Sequence, residues 1–308
     1  MRIAHHNRTP VSGANFVDPK TLARIDTLEL VARHVVDGFI NGLHHSPYLG
    51  LSLDFAEHRQ YMPGDDIRRI DWRLYARTDR YFVKEFEADT NANVLVILDV
   101  SKSMDYGYKG ISKLDYGRYL AASLLYFSNQ QRDRVGLATF DDDLVDFVPP
   151  SAKHLDIILH TLDRVKPAKK KGRLAEPLVK VMDGFRRRGI VAVISDFYED
   201  PDAVLDALKP IRYRGNDLIV FHVLDPSEID FPFDEAANFQ DLETGERLPV
   251  VPETQRARYK ELIADHVGRI SKMCADNQID YSMFDTATPL DYALFSYLSD
   301  RERLSRTR

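Results

Sequence analysis

The chain of 308 residues contains a single cysteine, Cys274, so no intrachain disulfide can form. This excludes the disulfide-stapled secreted scaffolds and makes a reducing cytoplasm the expected compartment. Long apolar runs are also missing. None approaches the roughly 20 residues of a membrane-spanning helix, so no membrane insertion is expected. The opening residues, MRIAHHNRTPVSGANF, lack an apolar centre and do not read as a secretory signal. Basic charge is in deficit, with 42 Lys and Arg against 48 Asp and Glu and a net charge of −6. That balance argues against a nucleic-acid partner. Neither phosphate-cradling motif, G-x-x-x-x-G-K-[ST] or G-x-G-x-x-G, is present, so any nucleotide hydrolysis in this system is assigned to another subunit. No G-x-S-x-G nucleophile elbow occurs. The pairs His5-His6 and His44-His45 are adjacent, unlike the i, i+4 pairs of zinc-binding helices, and read as surface histidines. Cys274 falls in a predicted helix and reads as a small buried apolar group.

The informative stretch is NVLVILDVSKSM, residues 93–104. An apolar run, Val94 to Leu98, stops at Asp99, and Ser101 and Ser103 follow at alternate positions. A strand apolar on both faces belongs to a sheet covered on both sides, as in parallel α/β folds. Such folds bind ligands beyond the carboxyl ends of their strands. One carboxylate and two hydroxyls therefore fall where the chemistry is expected, and all are hard oxygen ligands of the kind Mg2+ and Mn2+ prefer. The competing reading is that Asp and Ser merely cap a turn. A second strand end repeats the pattern: IVAVISDFY, residues 190–198, closes on Ser195 and Asp196.

The rest of the chain fits this reading. Residues 1–16 are polar and unpatterned and are expected to form a mobile tail. Residues 17–90 hold an N-terminal helix begun by Asp18-Pro19, and a charge-rich segment, both expected to pack on the body. From residue 91 to about 300, strands and helices alternate, which predicts a doubly wound, mostly parallel sheet with helices on both faces. Ser112-x-x-Asp115 opens a helix there. LVDFVPP, residues 144–150, reads as a short antiparallel edge strand ending at prolines. Helices are predicted across 152–165, 175–187 and 253–277, strands at 190–195 and 218–225, and a hairpin around Thr244-Gly245. Residues 301–308, RERLSRTR, read as a small basic tail.

Two resemblances follow from these residues. Asp99-x-Ser101-x-Ser103 with a strand-ending Asp196 resembles the metal-ion-dependent adhesion site of von Willebrand factor A domains. The resemblance implies an A-like fold and makes Asp99, Ser101, Ser103 and Asp196 candidate metal ligands. It also calls for a Thr from a middle loop. Here that loop, VKPAKKKGRLAEPL at residues 165–178, holds no Thr or Ser. An ion, Mg2+ or Mn2+, is therefore expected to bind weakly. Two outcomes are open for the loop. Its charges point into water, as basic runs usually do, or Lys171 or Arg173 fills part of the site as a built-in counter-ion.

The second resemblance is denser. Tyr61 to Asp66 (Tyr-x-Pro-Gly-Asp-Asp), Arg69 to Trp72, Ala76-Arg77, and Val83-Lys84 with Glu87 are similar to the signature of a bacterial family known as domain of unknown function fifty-eight. The family implies an A-like domain after the signature, and a partnership with MoxR-type AAA+ ATPases. Tyr61, Gly64, Asp65, Asp66, Arg69, Asp71, Trp72, Arg77, Lys84 and Glu87 are its structural signature here. Mixed charges among aromatics favour internal Arg–carboxylate pairs that clamp a loop over a catalytic role. The expected function is a non-enzymatic, chaperone-like adaptor that binds the ATPase and a client protein. The alternative is a Mg- or Mn-dependent hydrolase using Asp99 and Asp196.

Overall fold

A computed structural model of the chain describes residues 18–25, 27–45, 57–61, 72–78, 80–85, 92–168, 172–241, 245–292 and 294. Its centre is a six-stranded sheet built from β3 (Asn93–Asp99), β4 (Arg134–Phe140), β5 (Leu144–Ser151), β6 (Ile190–Ser195), β7 (Asp217–Leu224) and β10 (Asp280–Asp285). The spatial order is β10-β7-β6-β3-β4-β5. All neighbours run parallel except the edge pair β4–β5. This is the doubly wound, mostly parallel α/β sheet expected from the sequence. The strand order reverses between β3 and β6, and that reversal opens a crevice at the carboxyl edge.

Period-two alternation divides each central strand between two cores. Val94, Val96 and Leu98 of β3 face the layer of α2 (Leu28–His45), α4 (Lys113–Gln130) and α5 (Leu155–Arg164). Leu95 and Ile97 face the layer of α6 (Ala175–Gly184), α7 (Pro201–Tyr213) and α9 (Pro252–Asp276). The short α1 (Pro19–Leu22) is capped by Asp18, whose carboxylate accepts from Lys20 N–H. The apolar positions Leu28, Val31, Ala32, Val35 and Val36 of α2 are all buried, which docks this helix on the body. Gly117 lets α4 press on the sheet, since a Cβ there would lie 2.9 Å from Leu98 Cδ1.

The expected cap of α4 forms: the Ser112 hydroxyl accepts from Asp115 N–H. β5 is the expected antiparallel edge, where Pro149 and Pro150 cost no ladder bond on an inner strand. The hairpin β8 (Ala237–Gln240) with β9 (Arg247–Val250) also forms, next to Gly245 at φ +75°. Two boundaries differ from expectation. Helix α6 stops at Gly184 rather than 187, because Phe185 leaves the helical conformation and is buried in the core. The strand expected at 218–225 ends at Leu224, because Asp225 caps a short helix, α8 (Pro226–Asp230), in a complete capping box with Glu228.

In the signature region β1 (Glu57–Gln60) pairs antiparallel with β2 (Phe82–Glu85), with Lys84 opposite His58. Helix α3 (Trp72–Thr78) lies between them in sequence. Tyr61, Trp72, Tyr75 and Tyr81 form one aromatic cluster, with Tyr75 and Tyr81 stacked at 4.5 Å. Arg77 is exposed. Of the signature residues, Gly64, Asp65, Asp66, Arg69, Asp71 and Glu87, and with them the groups expected to form the Arg–carboxylate clamp, lie outside the described residues, as do both expected tails.

Candidate functional site at the carboxyl edge of the sheet

Parallel pairing sets Leu98 of β3 level with Ile194 of β6, so Asp99 and Ser195 end adjacent strands side by side. Both continue the alternation that faces α6 and α7, and the Ser195 hydroxyl donates to Asp99 Oδ2 at 2.6 Å. Asp99 Oδ1 accepts from Ser101 N–H at 2.8 Å. The Ser101 and Ser103 hydroxyls lie 3.1 Å apart. Asp99 and Ser101 are buried while Ser103 is half-buried at the rim. Burial first, and the nearby Asp196 carboxylate second, raise Asp99 from 3.8 to about 7. The structure therefore brings Asp99, Ser101, Ser103 and Asp196 to one edge.

Asp196 comes one residue after Ser195 and turns to the opposite side, where α4 begins. There it meets Lys113. The Lys113 ammonium donates to Asp196 Oδ2 at 2.8 Å and to Glu228 Oε1 at 2.7 Å. Its side chain has no exposed surface. Burial alone would lower its pKa, but Asp196 and Glu228 outweigh that and hold it above the usual lysine value. The Tyr198 ring faces the ammonium at 4.7 Å, a cation–π distance. Glu228 is itself fixed, because its other oxygen accepts from Asp225 N–H at 2.8 Å in the capping box of α8. Asp225 is fully buried and accepts from Ser227 and from Tyr108 N–H. One ammonium thus ties the ends of β6, α4 and α8 together.

The loop after α5 crosses this edge. Ala168 N–H donates to Val100 O, Arg173 N–H to Asp141 O, and Leu174 N–H to the Glu199 carboxylate. It presents Gly172 to the site: a Cβ there would lie 3.0 Å from Ser101 Cβ and 3.6 Å from Asp99 Oδ1. At its nearest approach to Asp99 and Ser101 the loop therefore carries no side chain. Of the two counter-ion candidates, Arg173 is exposed and Lys171 lies outside the described residues. The cation at Asp196 is Lys113, a residue not among the counter-ion candidates of the sequence. No local signal marks it, because a lysine in a first helical turn is ordinarily solvated and only weakly opposed by the helix dipole.

Beneath the site, Phe197 sits at φ +47°. Its N–H donates to Ser195 Oγ, and its carbonyl lies 2.8 Å from His266 Nε2. His222 of β7 is fully buried under it, with Nδ1 2.8 Å from the Tyr281 hydroxyl. His222 Nε2 makes no well-formed hydrogen bond among the described residues. Burial pushes His222 down to about 3, so the ring is neutral. Cys274 is buried in the α9 layer and burial raises its thiol to about 12, which keeps it protonated and unreactive.

Mg2+ and Mn2+ take about six oxygen ligands. Asp99, Ser101 and Ser103 suit one half of such a shell. The other half does not fit: Gly172 offers no side-chain oxygen, and Asp196 is held by an ammonium. Among the described residues no cluster of three or more His, Cys, Asp or Glu is arranged to hold a metal. No helix among them is long and apolar enough to cross a membrane.

Residues 57–269 match the family model described as Protein of unknown function DUF58. The chain is 31% identical over 232 residues to the uncharacterized proteins Rv1480 of Mycobacterium tuberculosis and Mb1516 of Mycobacterium bovis, covering 74% of this chain and 73% of each relative. Among solved structures it is similar to the conserved hypothetical protein BatB from Bacteroides thetaiotaomicron, at 18% identity and a TM-score of 0.48, over 69% of this chain and 99% of that one. The SpRpn10 VWA domain aligns at 11% identity and a TM-score of 0.38, over 65% of this chain and 92% of that one.

Proposed function

The chain belongs to the family described as Protein of unknown function DUF58, and from that premise we propose that it is a non-enzymatic interaction subunit. In this reading it is a cytoplasmic adaptor that presents the carboxyl edge of its sheet to a MoxR-type AAA+ ATPase and to a client protein. The observation that carries it is how the edge spends its polar groups. Asp99 is engaged by Ser195 and Ser101, and Asp196 by Lys113. The chemistry left at the rim is the half-buried Ser103 hydroxyl, backed at 3.1 Å by that of buried Ser101 on a rigid frame, which suits docking better than turnover. Any Mg2+ or Mn2+ would bind weakly, since only half an oxygen shell is offered. The net charge of −6 favours protein partners over nucleic acid.

A hydrolase using Asp99 and Asp196 would need both carboxylates on one metal ion, with a water activated between them. Lys113 competes for Asp196 in that arrangement. Co-expression with a MoxR-type ATPase and affinity capture tests the adaptor reading. Stoichiometric capture that weakens in a Ser101→Ala, Ser103→Ala variant of unchanged stability is expected. Failure to capture any such ATPase, together with Mn2+-dependent phosphoesterase activity abolished by Asp99→Asn, would establish the hydrolase instead.

A further inference from the structure

We propose that Lys113 is the built-in cation of this site, standing in the charge role that a divalent metal ion plays in an adhesion site, so that the docking face is assembled without metal. This rests on the adaptor reading for the use of the face, but the charge argument stands apart from it. Two carboxylates that share a buried edge need a positive charge between or beside them. Here Asp196 and Glu228 have one: a side chain with no exposed surface, 2.8 and 2.7 Å from their oxygens. The cation is covalently part of α4 and enters with folding, so it needs no free ion.

The surroundings match that role. Glu228 is oriented by Asp225 N–H, and the Tyr198 ring covers the ammonium at 4.7 Å. Lys113 N–H donates to Tyr106 O at 2.9 Å, which anchors the lysine backbone in the same loop that carries Ser101 and Ser103. Lys113 therefore joins the serine-bearing loop, through its backbone, to the Asp196 and Glu228 ends, through its ammonium. Across the site, Gly172 brings a backbone close to Ser101 and Asp99 without adding a ligand. Substitution of a bound ion by a fixed ammonium would make partner docking insensitive to Mg2+ and Mn2+ concentration and to chelators.

The experiment is calorimetric titration of the isolated chain with MgCl2 and with MnCl2, beside a thermal melt with and without each salt, for the wild type and for Lys113→Met. No partner is present, so the outcome does not depend on the adaptor reading. The wild type is expected to show no saturable site tighter than about 1 mM and an unchanged Tm. Lys113→Met is expected to bind at least about tenfold tighter and to gain Tm with added ion. Saturable micromolar binding by the wild type would overturn the proposal, as would a folded Lys113→Met that gains no affinity. If the variant does not fold without salt, its recovery by Mg2+ or Mn2+ supports the proposal. Should no salt recover it, the ammonium resonance of Lys113 in the wild type decides. A signal unchanged by excess Mg2+ supports the internal cation, and a displaced signal refutes it.

Discussion

Lys113 Nζ lies 2.8 Å from Asp196 Oδ2 although the two residues are 83 positions apart in sequence, and both side chains are removed from solvent. The pair joins the first helix of the α/β body to the end of the fourth strand of its sheet. Buried pairs are weak evidence for net stability, but breaking one from one side is costly because it strands a charge.

Lys113→Ala should therefore destabilise the protein by about 3–5 kcal/mol, since Asp196 and Glu228 are left buried beside each other. Replacing all three groups at once, with Lys113→Met, Asp196→Asn and Glu228→Gln, should recover much of that loss. Urea unfolding of the single and triple variants measures both. A single variant as stable as the wild type would show that the triad is solvated in solution.

The pH dependence of stability should reflect two opposed groups. Asp99 has a folded pKa raised from 3.8 to about 7. Its contribution is fully present below about 3.8 and is lost as pH rises through 7. His222 has a folded pKa lowered from 6.5 to about 3. Its contribution is present above 6.5 and is lost as pH falls through 3. Between about 4 and 6.5 the two slopes have opposite signs and largely offset. Asp99→Asn removes the first, so its stability should fall on acidification below 6.5 by up to about 1.4 kcal/mol per pH unit. Chemical denaturation across pH 4 to 7.5 checks this, and a variant profile parallel to the wild type would contradict it.

Ser195→Ala should cost about 1–3 kcal/mol, because it leaves a buried carboxylate oxygen of Asp99 without its donor and Phe197 N–H without its acceptor. It should also raise the Asp99 pKa further, since that hydrogen bond favours the ionised form. Carboxyl-carbon NMR titration reads the second effect, and a fall in the Asp99 pKa would refute the assignment.

The isolated chain should hydrolyse no ATP or GTP, because its sequence holds no phosphate-cradling loop. A steady-state assay on protein freed of contaminating ATPases tests this. Sustained turnover that follows the chain through every purification step would defeat it.

Much of the α/β body was legible from local pattern. Apolar runs ending at Asp99 and Asp196, the Asp18 and Ser112 caps, and the prolines of β5 each act within a few residues, so the strands and helices could be read in order. Capping of α8 by Asp225 and Glu228 was equally local and went unread, as a short motif following a strand end. The switch point, by contrast, depends on β3 lying beside β6 rather than β5, which is a matter of how crossovers pack. That adjacency alone puts Ser195 on Asp99. Lys113 shows the limit most clearly. At the start of α4 its sequence neighbourhood is that of a solvated lysine, and only the convergence of α4, α8 and the end of β6 desolvates it and makes it a counter-ion. Gly172 is similar: its nearness to Ser101 comes from a loop crossing the sheet edge. By itself the sequence determined which groups reach the carboxyl edge, because strand ends and caps are set by nearest neighbours. Tertiary packing decided which of them neutralise one another, because charge pairing in a buried site depends on distances that only the assembled sheet and helices bring about.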